Sequence, residues 1–204
     1  MQKCYIFGAL EPKELYYIPE NNDFVIAADK GLSVVEKLNI KPDHIIGDFD
    51  SLGFVPAGDN VIKLPVEKDD TDIGYAVKYA LSKGCSDFVI YGGIGGQIDH
   101  TFANIQLCAY ISKRGGRAVF VGDGVFVTAG TDSGLTFENA SGRVSVFSAD
   151  TTSKGVCLRG FKYDLDNAVL SSDFPLGVSN EFIGKNATVS VEKGTLVIIT
   201  HSKI

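Results

Sequence analysis

Two short acidic stretches, GDFDS at 47–51 and KDDTD at 68–72, hold five aspartates within 25 residues. Asp48 and Asp50, spaced i and i+2, can turn both carboxylates onto one cation, and hard oxygen donors of this kind suit Mg²⁺ shared with substrate phosphates. Gly, Asp and Ser are also ordinary turn formers, so D-x-D alone is equally the pattern of a turn. In the second stretch Asp69 or Asp70 can cap a following helix, and Asp72 suits the positive end of its dipole. One cap does not need three aspartates. Seven acidic residues fall between 48 and 72, balanced only by Lys63 and Lys68, and a bound cation relieves that repulsion.

A third candidate is GGIGGQIDH at 92–100. Gly92, Gly93, Gly95 and Gly96 allow close backbone approach to a ligand, and a helix starting beyond them offers unpaired N–H groups to phosphate. It is not the dinucleotide fingerprint, because Ile98 stands where the third glycine belongs, and it lacks the G-K-[ST] of a P-loop. Asp99 and His100 at the helix mouth have an alternative reading as cap and packing residue. His44 and His201 read as structural, and Ser51 lacks the G-x-S-x-G of a nucleophile elbow.

The elements that position these groups follow from periodicity. Strands are expected at 4–7, 24–28, 44–46, 60–64, 87–91 and 117–121, separated by helical segments. Over 71–83, Ile73, Ala76, Val77, Ala80 and Leu81 form one apolar stripe; over 100–114, Phe102, Ile105, Cys108, Ala109 and Ser112 do the same. Alternating strands and helices predict an α/β domain with a mostly parallel sheet over residues 1–125; GDFDS then lies at a strand's C-terminal end, where open α/β sheets place ligands, GGIGGQIDH follows strand 87–91, and KDDTD opens the 71–83 helix. After Gly124 the helical period disappears. Strand candidates at 125–129, 135–138, 143–148, 156–160, 186–192 and 195–200 predict a small all-β sandwich over 126–204.

Composition narrows the partners. With 25 acidic against 19 basic side chains the net charge is −6, which argues against the nucleic-acid backbone or an anionic membrane as partner. The acidic excess lies in the first 125 residues, with 17 acidic and 12 basic groups, so the chemistry is expected there. Cys4, Cys85, Cys108 and Cys157 are too dispersed for a zinc site or a disulfide framework, and no run is long enough to span a membrane. Free thiols and the absence of an apolar leader point to the cytoplasm.

Taken in order, AADKG at 27–31, GDFDS at 47–51, KDDTD at 68–72, GGIGGQIDH at 92–100 with Asn104, and GVSNEFIG at 177–184 resemble the thiamine pyrophosphokinase family over nearly the whole chain. The resemblance implies transfer of a diphosphoryl group from ATP to the hydroxyl of thiamine, giving thiamine diphosphate and AMP, with Mg²⁺ and a homodimer whose sites lie between subunits. It implies Asp48, Asp50 and Asp72 as metal ligands, directly or through water. Asp72 or Asp69 would orient the thiamine hydroxyl. Asp29, Lys68, Thr71, Gly93, Gly95, Gly96, Gln97, Asp99, His100 and Asn104 would hold ATP. Ser179 and Asn180 would hold thiamine, a role that the residues alone do not suggest, since they also read as loop formers; Phe182 is the nearest aromatic for stacking. Two positions depart from the family pattern: Lys30 replaces the first glycine of A-D-G-G, and Gln97 replaces an arginine. The metal and nucleotide motifs alone also fit a pyrophosphokinase for another hydroxymethylated heterocycle such as a pterin, a metal-dependent phosphohydrolase, or a non-catalytic nucleotide or thiamine sensor.

Overall fold

The computed structural model describes residues 2–67 and 69–203, and the chain divides into two compact units. The first comprises the residues through Asn104 together with Phe120–Asp123; the second comprises Ile105–Val119 and the chain from Gly124 on. Helix α3 (Ile98–Ser112) and strand β6 (Arg117–Gly122) are therefore each divided between the units.

In the first unit β1 (Cys4–Phe7), β2 (Phe24–Ala28), β3 (His44–Gly47), β4 (Val61–Lys63) and β5 (Asp87–Tyr91) form a parallel sheet in the order β5-β1-β2-β3-β4. β1 and most of β2 and β5 are buried along their whole length, as expected for parallel strands covered on both faces. Helix α2 (Asp72–Ser82) buries Ile73, Ala76, Val77 and Ala80, the stripe expected from its spacing. Thr71 caps it by accepting the Gly74 N–H at 3.0 Å, so neither Asp69 nor Asp70 is the cap. A short helix α1 (Gly31–Lys37) follows β2.

The second unit packs two antiparallel layers. β7 (Val125–Thr131), β14 (Thr195–Thr200), β9 (Ser141–Ser148) and β12 (Gly177–Ile183) run in the order β12-β9-β14-β7. β8 (Gly134–Phe137), β10 (Thr152–Arg159), β11 (Leu165–Ser171) and β13 (Ala187–Ser190) run in the order β11-β10-β13-β8. Val144, Val146 and Ile198 from one layer meet Val156, Leu158 and Val189 from the other in a continuous core. This is the sandwich that the loss of helical period predicts. Two strands differ from the sequence reading: β11 was without a signal, and GVSNE is strand β12 rather than loop. β12 escapes a period-2 reading because its register shifts between Gly177 and Asn180, a bulge that breaks the alternation.

Two aromatic positions also differ. Phe182 lies in the sandwich core against Phe137 and Phe161, ring centroids 5.3 and 5.1 Å away, which removes it as a stacking surface for a ligand. Phe102, expected in the apolar stripe of α3, is 61% exposed, and Asn104 is buried instead.

Candidate active site

The site is assembled at the C-terminal edge of the parallel strands. β2 ends into Asp29, whose N–H continues the ladder by donating to the Ile46 carbonyl at 2.7 Å. Asp29 adopts φ +47, a left-handed conformation uncommon outside glycine. β3 ends at Gly47 and delivers Asp48 and Asp50 across the buried Phe49, itself at φ +65. One carboxylate oxygen from each of Asp29, Asp48 and Asp50 lies within 4.8 Å of the others. Asp29 is 7% exposed, and its Oδ1 is buried with no hydrogen-bond partner among the described residues. A buried carboxylate oxygen left unpaired is costly, and a divalent cation is the partner that an all-oxygen acidic set suits. The donors therefore fit Mg²⁺.

Asp29 also faces a cleft of about 580 Å³ lined by the first unit alone. Its acidic side carries Asp29, Asp70 and Asp72, with Lys30, Ser51 and Thr71 beside them. Asp70 is held by Lys78, whose Nζ lies 2.7 and 2.8 Å from the two carboxylate oxygens. Asp72 lies in the first turn of α2 and is half-buried. Asp69 is exposed and does not line the cleft, and Lys68 lies outside the described residues.

The opposite side is the glycine loop after β5. Gly93, Gly95, Gly96 and Gln97 line the cleft, as do His100 and Asn104 from α3. Gly95 and Gly96 have φ +104 and +64, backbone that disfavours a side chain. Asn104 donates from Nδ2 to the Gly93 carbonyl at 2.8 Å. Thr101 Oγ1 donates to the Gly95 carbonyl at 2.9 Å and accepts the Gly95 N–H at 3.2 Å. Asp99 accepts the His100 N–H at 2.9 Å and does not line the cleft.

Sequence reasoning missed the floor of the cleft. Gly8, Ala9 and Leu10 follow β1, the strand beside β5, at the switch point of the sheet order. A Cβ on Gly8 would meet Ile73 Cδ1 at 2.6 Å, and one on Gly92 would meet the Gly8 carbonyl carbon at 2.7 Å. A glycine directly after the buried run CYIF was the available signal. Thr101 was missed as well, because a threonine in a helix carries no mark of the loop it clamps.

In the second unit Ser179 is exposed at φ +59 on the β12 bulge, its N–H donating to Ser145 Oγ at 3.1 Å. Asn180 is 5% exposed, and its amide serves the backbone: Oδ1 accepts the N–H groups of Tyr163 and Glu181, and Nδ2 donates to the Tyr163 carbonyl at 2.6 Å.

The family profile described as thiamin pyrophosphokinase, catalytic domain, matches residues 16–120, and that described as thiamin pyrophosphokinase, vitamin B1 binding domain, matches 137–196. A thiamine pyrophosphokinase of Bacillus subtilis is 29% identical over 182 residues, 85% of each chain. The crystal structure of thiamine pyrophosphokinase from Bacillus subtilis superposes with a TM-score of 0.84 at 25% identity over 100% of both chains. That from Geobacillus thermodenitrificans gives 0.83 at 26% identity, covering 99% of this chain and 98% of the other. With its catalytic profile matched across more than half its length and the B1-binding profile following in order, the chain belongs to the thiamin pyrophosphokinase family.

Proposed function

We propose that the chain transfers a diphosphoryl group from ATP to the hydroxyl of thiamine, releasing thiamine diphosphate and AMP. The observation that carries this reading is the convergence of Asp29, Asp48 and Asp50 beside a cleft whose far side is a glycine loop. The thiamine oxygen forms a bond to the β-phosphorus. The bond from that phosphorus to the α–β bridging oxygen breaks, and AMP leaves with the electron pair. Such transfers depend on positioning and charge neutralisation more than on covalent chemistry.

Within this reading Asp29, Asp48 and Asp50 would hold Mg²⁺, with Asp72 contributing directly or through water, and the ion would supply neutralisation of phosphate charge. Asp72, on the cleft wall, orients the thiamine hydroxyl and accepts its proton; its place in the cleft favours it over Asp69. The loop at 92–97, clamped by Thr101 and Asn104, presents backbone to the phosphates, and Thr71 and His100 complete the nucleotide site.

Residues 1–125 then form the catalytic domain and 126–204 the thiamine-binding domain. Ser179 touches thiamine, and Asn180 holds the backbone around it. The reading includes a homodimer with sites between subunits and a cytoplasmic location; the four free thiols support the latter. None of the described helices is long and apolar enough to cross a membrane. Incubating the pure protein with ATP, Mg²⁺ and thiamine should yield thiamine diphosphate and AMP in equal amounts. AMP release without thiamine, or a pterin alcohol accepted in its place, would overturn the assignment.

A further inference from the structure

On the proposed reading the cleft takes a polyanion, yet carboxylates outnumber permanent cations among its lining side chains. Among the described residues lining it, Asp29, Asp70 and Asp72 are acidic, and Lys30 is the one permanent cation. Gln97, on the glycine-loop side, donates hydrogen bonds and carries no charge. The Asp70 charge is answered by Lys78 outside the cleft lining, whereas no ion pair or hydrogen bond engages the Lys30 ammonium among the described residues.

Lys30 also occupies a position that local stability does not favour. It is the N-cap of α1, where Ser, Thr, Asp or Asn would accept a backbone N–H; a lysine cannot, and no side-chain cap is made. A positive charge there also opposes the helix dipole. Such departures from local preference mark functional positions.

The backbone around Lys30 is rigidly set. Asp29 is pinned in its left-handed conformation against Gly47, and a Cβ on Gly31 would lie 1.8 Å from the Phe7 carbonyl oxygen, so the turn is locked against the end of β1. Backbone position is fixed, and only the exposed lysine stem is free to move. A flexible ammonium on a fixed anchor beside the metal-binding carboxylates suits a polyphosphate.

We infer that Lys30 is the polyphosphate-binding cation of this cleft, and that it sets the preference for a nucleoside triphosphate over the monophosphate. The inference rests on the proposed nucleotide reading and names the residue that discriminates between substrate and product.

Calorimetric titration of the full chain in Mg²⁺ with ATP and with AMP tests it. Lys30→Ala should weaken ATP by at least about fivefold while changing AMP by less than about twofold, so that unaltered AMP binding also certifies the fold. Lys30→Arg should keep ATP within about threefold of wild type. Gln97→Arg from the opposite wall should raise ATP affinity more in the Lys30→Ala background than in wild type, a non-additive pairing expected of side chains serving one ligand. An ATP loss below fivefold, or an equal loss for AMP, overturns the inference. So does tighter Mn²⁺ binding by Lys30→Ala with ATP affinity unchanged, which would make Lys30 a counter-charge for the carboxylates. A wild-type chain that binds no ATP overturns the nucleotide reading together with this one; a wild type that turns over while Lys30→Ala keeps its ATP affinity overturns this one alone.

Discussion

Gly47 and Asp29 lie so close that a Cβ on Gly47 would sit 2.9 Å from the Asp29 Cα and 3.0 Å from its Cβ. The missing side chain at the end of β3 is what lets Asp29 share a space with Asp48 and Asp50. Gly47→Ala should therefore destabilise the fold by about 1–3 kcal/mol through overpacking against backbone. Mn²⁺ affinity, read by electron paramagnetic resonance, should fall in the same variant. Wild-type stability and affinity would show that Asp29 can retreat without consequence.

Asp29→Asn, Asp48→Asn and Asp50→Asn should each lower turnover on the order of 100-fold or more, since each removes charge from one cation site. In the absence of divalent metal the same variants should melt no lower than wild type, because repulsion among three clustered carboxylates is relieved. Thermal denaturation with and without Mg²⁺ separates the two effects. An Asp29→Asn chain with normal Mn²⁺ affinity removes Asp29 from the ligand set.

Asn180 and Ser179 should behave differently despite adjoining. Asn180→Ala leaves the Tyr163 backbone groups without partners and should cost about 2–3 kcal/mol, lowering the melting temperature by several degrees. Ser179→Ala should leave stability nearly unchanged and raise the KM for thiamine. If sites are shared between subunits, mixing Ser179→Ala with Asp48→Asn chains should restore part of the activity at a wild-type thiamine KM, because one hybrid site collects both lesions and the other neither. No restoration despite proven subunit exchange would place the site within one chain.

Cys85 should be the pH-sensitive thiol. Interaction with the Cys4 thiol lowers Cys85 from its ordinary value to about 7, while the Cys85 thiol and burial push the Cys4 thiol up; burial does so for Cys108. The thiolate is the reactive form, so alkylation by iodoacetamide should be half-maximal near pH 7, falling about tenfold per unit below it and levelling off above. Cys4→Ala removes the partner thiol and should move the midpoint upward. Peptide mass spectrometry gives the rates, and a wild-type midpoint at or above pH 8.5 would contradict the assignment.

Features that depend on near neighbours can be read along the chain. The apolar runs 4–7, 24–28 and 87–91 coincide with β1, β2 and β5, and the Ile73–Ala80 stripe is the buried face of α2. The acidic and glycine-rich stretches were legible for the same reason, being contiguous along the chain. Tertiary structure alone decided which of them meet. Asp29 joins Asp48 and Asp50 because β2 and β3 pair in a register that sets Ala28 beside Ile46. Asp70 pairs with Lys78, eight residues on, and is not part of the Asp29, Asp48 and Asp50 carboxylate group. Phe182 faces a core and Phe102 faces solvent, although both are phenylalanines in regular elements. Side-chain periodicity is a local property of a helix or strand, whereas strand register, bulges and the covering of a face are set by residues distant in sequence.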